Sequence, residues 1–194
     1  AVDAGLDNIS IDLMYGLPHQ SLAQWQDTLQ TAVSLGPTHL SLYCLTLEEG
    51  TPLHRQVKQG ELPEPDPDLA ADMYGHAREF LAGPGFHHYE ISNWARPGYI
   101  ARHNLGYWLN KPYLGVGPGA HSRLGRYRFW EENSPRTYIA RVKQWQDTQP
   151  GPFDSITEAG LCTVSPVAGQ EYIDFDTMCA ETMFLGLRLL DGID

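Results

Sequence analysis

The sequence is poor in long apolar runs, in basic residues and in cysteine, and each shortage makes some classes of protein function improbable. No apolar run approaches the ~18 residues of a membrane span, so we predict no transmembrane segment. Lys and Arg number 13 against 24 Asp and Glu, which gives a formal net charge of -11. Because phosphate backbones and anionic membranes repel so acidic a protein, nucleic-acid binding is not expected.

The three cysteines, Cys44, Cys162 and Cys179, are scattered and form no short metal-ligand spacing. No basic leader with an apolar stretch opens the chain, so we expect a reduced cytoplasmic protein with buried thiols. The sequence begins without Met, at what resembles the end of a helix, and we expect it to be an internal piece of a longer protein. Its 194 residues suffice for one domain, or for one domain and part of another.

Hydrophobic patterns predict an α/β fold that opens with a strand, a helix and a second strand. Apolar and polar side chains alternate over residues 8–14, as in a strand with one buried face. Apolar residues at helical spacing follow over 21–35, with Ser21 as the N-cap, and a second alternating stretch covers 39–46. Strand, helix and strand at this spacing predict a βαβ crossover with parallel strands.

Further elements are predicted along the rest of the chain: a helix from the Asp66 cap to Leu81, a strand over 86–92, a crossing segment over 100–108, short strands over 112–116 and 126–130, and helices over 134–145 and 175–190. We expect the last helix to be buried in a core, because it is rich in apolar residues: Met178, Met183, Leu185, Leu187 and Leu190. The Pro-Gly break at 149–152 and the loss of alternation near 127 are two candidate positions for a domain boundary.

Asp12 is the first candidate site residue, since it lies on the polar face of the first predicted strand. Ligands of barrels and open α/β sheets gather at the carboxyl ends of parallel strands. A carboxylate there accepts hydrogen bonds from a ribose or holds an amino group. A structural Asp that bonds backbone amides near the turn explains the position equally well.

The second candidate is the run H-N-x-x-Y-W, formed by His103, Asn104, Tyr107 and Trp108. A separation of four residues places the His and the Tyr on one side of a helix or a strand. Neutral imidazole and phenolate oxygen are both ligands of haem iron, while the Trp offers a flat face to a macrocycle. From spacing alone, a buried aromatic cluster with a satisfied histidine is the stronger interpretation.

Two other patterns do not support a site by themselves. The loop over 115–120 fits the dinucleotide fingerprint G-x-G-x-x-A, but Pro118 stands where the helix should open. A zinc site is also disfavoured. The adjacent His87 and His88 point to opposite faces of a strand, so at most one of them could join His103 and His121. Neither a Cys nor a short H-x-x-x-H unit accompanies these histidines.

Four runs, taken in order, carry a resemblance to one family. These runs are D-L-M-Y-G-L-P at 12–18, Y-E-I-S-N at 89–93, H-N-x-x-Y-W at 103–108 and G-V-G-P-G-A-H-S at 115–122. Over nearly the whole chain they resemble the HemW family of radical SAM haem chaperones, which are relatives of the oxygen-independent coproporphyrinogen III oxidases of the HemN type.

The resemblance implies a fold in two parts. Residues 1–127 are expected to be the C-terminal part of a partial (β/α) TIM-like radical SAM barrel. Residues 128–194 are expected to link to, and begin, a mainly helical C-terminal domain.

The resemblance also assigns residues to S-adenosylmethionine (SAM) and to haem. In the related oxidase an Asp in the first of these strands contacts a second SAM, which implies that role for Asp12. Thr46 and His121 fall near further contact positions, and His121 replaces an aliphatic residue of the oxidase, so its role stays open. The HemW family's haem motif implies haem binding by the whole H-N-x-x-Y-W run, with either His103 or Tyr107 as the iron ligand.

The resemblance further implies a haem chaperone that passes haem to haem-requiring proteins, which include respiratory or membrane-associated ones. A [4Fe-4S] cluster needs three cysteine thiolates in C-x-x-x-C-x-x-C. This chain lacks that triplet, so the cluster ligands are expected outside it and the chain alone is expected to be inactive. Alternatives are the oxidase itself, which decarboxylates coproporphyrinogen III, and a structural piece without a cofactor.

The sequence departs from the family pattern at one turn. His19 stands before Gln20, where the family usually has a glycine. Because a side chain disfavours positive φ, this substitution questions the geometry of the turn but leaves the preceding strand unaffected.

Overall fold

A computed structural model describes residues 4–148 and 166–192, which confirm the predicted mixed α/β fold. The elements in chain order are β1 (Ser10–Tyr15), α1 (Leu22–Ser34), β2 (His39–Cys44), α2 (Pro52–Lys58), α3 (Pro67–Ala82), β3 (His87–Glu90), β4 (Asn93–Ala95), α4 (Arg102–Trp108), β5 (His121–Leu124), β6 (Tyr127–Glu131), α5 (Pro135–Thr148), β7 (Val167–Tyr172) and α6 (Phe175–Gly186). They belong to two compact units. The first runs to Ala101 and includes Leu189–Asp191, and the second covers Arg102–Arg188.

The predicted βαβ crossover opens the first unit, since β1 and β2 pair in parallel over their whole lengths. α1 begins after Ser21, whose hydroxyl accepts a hydrogen bond from the Gln24 N–H at 3.2 Å. The Gln24 side chain accepts one from the Ser21 N–H at 2.8 Å. This capping box satisfies amide groups that the first turn of a helix otherwise leaves free.

The core of the first unit lies between one face of the sheet and the helices α1 and α3. The Trp25 indole N–H donates to the Met73 carbonyl at 2.9 Å, so this large side chain is buried without an unsatisfied donor. Buried residues of this core are Tyr15, Trp25, Leu29, Ala32, Leu40, Leu42, Met73, Ala77, Leu81, Phe86 and Trp94.

The chain forms a hairpin where the pattern predicted one strand over 86–92. β3 ends at Glu90, and β4 returns antiparallel to it from Asn93. β4 lies between β2 and β3, which gives the sheet order β1-β2-β4-β3. Neither Gly nor Pro occurs in 86–92, so the strongest signals of a turn are missing from the sequence.

The second unit contains a three-stranded antiparallel sheet in the order β5-β6-β7, together with α4, α5 and α6. The predicted crossing segment becomes helical at Arg102. The predicted strand over 112–116 is wrong: only Tyr113 forms an isolated bridge, with Arg123, through backbone bonds of 2.9 Å. The predicted boundary at 127 concerns the family's domains and stays a prediction.

The expected burial of the last helix and of the thiols is wrong. α6 ends at Gly186, the one residue of the helix that is buried, and Met183, Leu187 and Leu190 are at least half exposed. Cys44 and Cys179 are exposed as well, and Cys162 lies outside the described residues. Within 4–148 and 166–192, no helix has the length and apolar character that a membrane span needs.

Candidate functional site

The sheet face of the first unit that points away from α1 and α3 carries polar side chains. Asp12 lies beside Ser41 of β2, which lies beside Asn93 of β4. Paired residues of neighbouring strands share a face, so these three side chains form one polar row. Asp12 is exposed, and a ligand therefore has access to its carboxylate.

The Y-E-I-S-N run is the turn of the β3–β4 hairpin, and it is built around the fully buried Glu90. One carboxylate oxygen of Glu90 accepts hydrogen bonds from the Ser92 N–H at 2.9 Å and from the Asn93 side-chain amide. These charge-assisted bonds hold a two-residue turn that has no glycine. The Asn93 side-chain oxygen is buried without a hydrogen-bond partner in the described part of the chain.

A chain of hydrogen bonds that is buried between His39 and Tyr89 crosses the same face. Ser10 Oγ lies 2.8 Å from His39 Nδ1, and His39 Nε2 lies 2.8 Å from the Tyr89 hydroxyl. Burial lowers the pKa of His39 and raises the pKa of Tyr89 to about 12, so both side chains are neutral near pH 7. Sequence reasoning missed this chain, although Ser41 and Tyr43 already indicated a polar face on the strand that His39 begins.

The H-N-x-x-Y-W run forms most of α4, in the second unit. His103 Nε2 and the Tyr107 hydroxyl are 2.8 Å apart, as one helical turn allows. The Tyr107 ring also packs edge-on against Tyr113, with 4.6 Å between ring centroids. His103 is exposed, whereas Asn104 is half-buried. The four residues of the run therefore share one short helix.

Trp108, the last residue of α4, packs against a cation. The Arg188 guanidinium lies 4.2 Å from the Trp108 ring centroid, which is a cation–π contact. The Trp108 indole N–H is buried and lacks a hydrogen-bond partner among the described residues. One face of the indole is thus occupied by Arg188, beside an unsatisfied donor.

The remaining predicted SAM residues belong to different units. Thr46 is exposed just after β2 in the first unit, and His121 is exposed at the start of β5 in the second. The His121 ring lies 6.0 Å from that of Trp130. No group of three His, Cys, Asp or Glu residues within the described ranges has a metal-binding arrangement.

Two glycine-related positions shape the loops near these residues. His19 has a φ of 62°, so the turn keeps the backbone conformation that a glycine favours and the His bears the strain. A Cβ on Gly115 would overlap the His121 carbonyl oxygen, and the loop therefore requires glycine at that position.

Comparisons with known proteins agree with the resemblance, although no family model matches the chain. A Synechocystis protein named heme chaperone HemW is 37% identical over 188 residues, which are 97% of this chain and 42% of that protein. A Mus musculus protein, radical S-adenosyl methionine domain-containing protein 1, mitochondrial, is 54% identical over 116 residues, which are 60% of this chain and 26% of that protein.

The solved structure of the Escherichia coli coproporphyrinogen III oxidase HemN, described as a radical SAM enzyme, is similar with a TM-score of 0.59. The likeness covers 74% of this chain and 36% of that one at 24% identity, and at this identity it shows the fold alone. The chain spans less than half the length of the Synechocystis relative. With 37% identity along almost its entire length, the chain belongs to the HemW family of radical SAM proteins.

Proposed function

We propose that this chain is the haem-handling part of a haem chaperone, which binds haem and passes it to haem-requiring proteins. A relative that is 37% identical carries the name heme chaperone. The observation that carries the proposal is the His103–Tyr107 pair, which presents two haem-iron ligand types 2.8 Å apart on one helix next to Trp108. Haem is the cargo of this protein. Its recipients include respiratory or membrane-associated proteins, and the chaperone acts in the cytoplasm.

The chemistry of the pair follows from its hydrogen bond. A bond from His103 Nε2 or from the Tyr107 oxygen to iron would take the place of the hydrogen bond between these two atoms. Either side chain can therefore serve as the ligand. Arg188 adds a positive charge beside the Trp108 ring. Haem carries anionic propionates, and a guanidinium next to a stacking surface complements both parts of the cargo.

SAM and a [4Fe-4S] cluster serve the transfer in the whole protein. The exposed Asp12 carboxylate is the proposed SAM contact in this chain, with Thr46 and His121 as further contacts. The cysteines of this chain do not fit a cluster, because the sequence has no C-x-x-x-C-x-x-C triplet. Bound SAM supplies radical chemistry in this superfamily, and the role of Asp12 is to hold and orient it.

The test is a haem titration of the full-length protein, followed by absorbance. We expect a stoichiometric Soret shift in the wild type and its loss in the double variant His103→Ala/Tyr107→Phe. Each single variant then identifies the iron ligand by its own spectrum. His87→Ala/Tyr99→Phe is the matched control, because both of these side chains are exposed outside α4.

The contradicting outcome is also specific. No Soret shift in the wild type, together with conversion of coproporphyrinogen III to protoporphyrinogen IX, would replace the chaperone by the decarboxylating oxidase. A full-length protein that binds neither haem nor SAM would have a structural or interaction role instead.

A further inference from the structure

The helix that carries the H-N-x-x-Y-W run does not bury any of its own side chains. α4 has seven residues, Arg102–Trp108, and none of them is buried. A helix of this length is marginal on its own, and most short helices in proteins are stabilised by burying one face. The position of α4 within the second unit therefore depends on individual contacts rather than on a buried face.

The C-terminal end of α4 is a closed turn around Asn110. The Asn110 N–H donates to the Tyr107 carbonyl at 2.9 Å. The next N–H, that of Lys111, donates to the Gly106 carbonyl at 2.8 Å. Asn110 has a φ of 51°, a conformation that Asn tolerates better than most residues. These features form a Schellman motif, which does not use the carbonyl of Asn110 itself.

Arg123 of β5 binds that carbonyl. Its guanidinium donates from Nη1 to the Asn110 oxygen at 2.5 Å. Arg123 is 6% exposed, and its Nε–H is buried without a partner among the described residues. In the same part of the chain no carboxylate forms an ion pair with it. Because an unbonded buried cation is costly, the bond to Asn110 is the contact that stabilises the guanidinium here.

The charge of Arg123 is balanced across the β5–β6 hairpin. Arg123 lies opposite Arg128, and Arg128 binds the carboxylates of Glu171 and Glu181. Two carboxylates against one guanidinium leave one negative charge in excess beside Arg123, and opposite charges attract. A general role in the stability of this hairpin is therefore distinct from a role at α4, and an experiment has to separate the two.

The backbone of Arg123 also holds the aromatic neighbour of Tyr107. Its N–H donates to the Tyr113 carbonyl and its carbonyl accepts from the Tyr113 N–H, both at 2.9 Å. The Tyr113 ring packs edge-on against the Tyr107 ring. Arg123 thus bonds to the end of α4 with its side chain and to the ring partner of Tyr107 with its backbone.

We infer that Arg123 is a positioning residue for haem binding, because it fixes the end of α4 and the Tyr113 ring, which together orient the Tyr107 side chain. This role rests on the proposed function of α4. Arg123 is buried and needs no contact with haem. An arginine outside the H-N-x-x-Y-W run then controls haem affinity through Tyr107.

The experiment begins with haem titrations of the full-length protein. Arg123→Met removes every donor, and we expect it to weaken haem binding about tenfold, as the loss of one charge-assisted buried hydrogen bond allows. Arg123→Lys is expected to restore most of the affinity, because the bond to Asn110 uses a single N–H. Arg136→Met makes the same change at an exposed residue of α5 and is the control, with unchanged affinity.

A double-mutant cycle tests whether Arg123 acts through Tyr107. In a Tyr107→Phe background, Arg123→Met is expected to cause less than about a twofold further loss of haem affinity, because the hydroxyl that it positions is already absent. A further tenfold loss in that background would overturn the positioning role. So would an unchanged affinity of Arg123→Met in the otherwise wild-type protein.

Tyr113→Leu reaches the same inference without changing Arg123. It removes the ring that packs on Tyr107 and keeps the backbone bridge to Arg123. We expect haem binding to weaken severalfold, and an unchanged affinity would contradict the inference even if Arg123→Met failed to fold.

Hydrogen exchange on the haem-free protein separates local from general effects. In Arg123→Met we expect the amides of Asn110 and Lys111 to exchange faster. The Glu131 amide, bonded to the Ala120 carbonyl in the same unit, is expected to keep its rate. Equally faster exchange at Glu131 would mean that Arg123 only stabilises the unit, which overturns positioning. A wild type that binds no haem instead contradicts the proposed function.

Discussion

The two compact units bury their apolar residues to different degrees. In the first, large side chains such as Trp25 and Trp94 are buried between a four-stranded sheet and two helices. In the described part of the second, Phe129 and Ile173 are the buried hydrophobic residues, while Phe184 is 74% exposed. The first unit is thus stabilised by its own core. The second carries the aromatic motif on a surface that is rich in accessible apolar groups.

The sharpest test of this comparison removes one large side chain from each unit. Trp25→Ala is expected to cost roughly 3–5 kcal/mol, because the indole is fully buried and bonded to the Met73 carbonyl. Phe184→Ala is expected to cost less than about 1 kcal/mol. Urea unfolding of the full-length protein measures both. Equal losses would show that α6 is covered by another part of the protein.

The two units should also differ in the ligand whose binding they affect. Asp12→Ala is expected to weaken SAM binding about tenfold or more, since it removes a charge-assisted hydrogen bond, while haem binding is unchanged. Isothermal titration of the full-length protein with SAM checks this, with Asp27→Ala, an exposed carboxylate on α1, as the control. Unchanged SAM affinity in Asp12→Ala would make Asp12 a structural residue.

A pair of glycines in the second unit tests its local packing. Gly115→Ala is expected to cost about 1–3 kcal/mol, because the added Cβ would overlap the His121 carbonyl oxygen. Gly106→Ala in α4 has open space and is expected to gain about 0.5–1 kcal/mol. Thermal unfolding distinguishes the two. A neutral Gly115→Ala would mean that the loop moves freely.

Two histidines of the first unit, the buried His39 and the half-buried His88, predict that stability depends on pH. Burial is the largest cause that lowers the pKa of His39, while the carboxylates of Asp12 and Glu90 raise it by less. His88 has a pKa lowered by burial too. A histidine whose folded-state pKa is depressed contributes stability above its unfolded pKa of about 6.5, and this is lost as the pH falls.

The measurement is the urea midpoint at about pH 7.5 and about pH 5.5. We expect a decrease toward the lower pH, and a smaller decrease in His39→Gln. An equal decrease in that variant would assign the effect to other groups.

The smallest expected effect is at the turn after β1. His19→Gly should raise the free energy of unfolding by up to about 1 kcal/mol, because glycine adopts a φ of 62° without strain but loses more entropy on folding. Chemical denaturation measures it, and Gln20→Gly, one residue along, is the control. A loss of stability would mean that the His19 side chain contributes contacts.

Much of the first unit was predictable because its signals are local. Alternation located β1 and β2, and the Ser21 cap located α1. The β3–β4 hairpin was missed because its turn is held by the Glu90 carboxylate rather than by glycine. The exposure of α6 was missed because composition indicates that a helix is apolar but not what covers it.

In the candidate site, too, the contacts between residues close in the sequence were predictable, and those between distant residues were not. Sequence spacing placed His103 and Tyr107 on one side of an element, and α4 brings them to 2.8 Å. The stacking of Arg188 on Trp108 joins residues 80 positions apart in the sequence, and no local pattern predicts such a contact. The assignments to SAM and haem stay predictions.

The sequence by itself determined the βαβ crossover, the placement of His103 and Tyr107 on one side of a single element, and the family, because each depends on the order and spacing of neighbouring residues. Only the tertiary structure decided that Tyr89 contacts both His39 and Leu190. Contacts of that kind depend on which strands become neighbours in the sheet, and this is fixed by the packing of the whole unit rather than by any local segment.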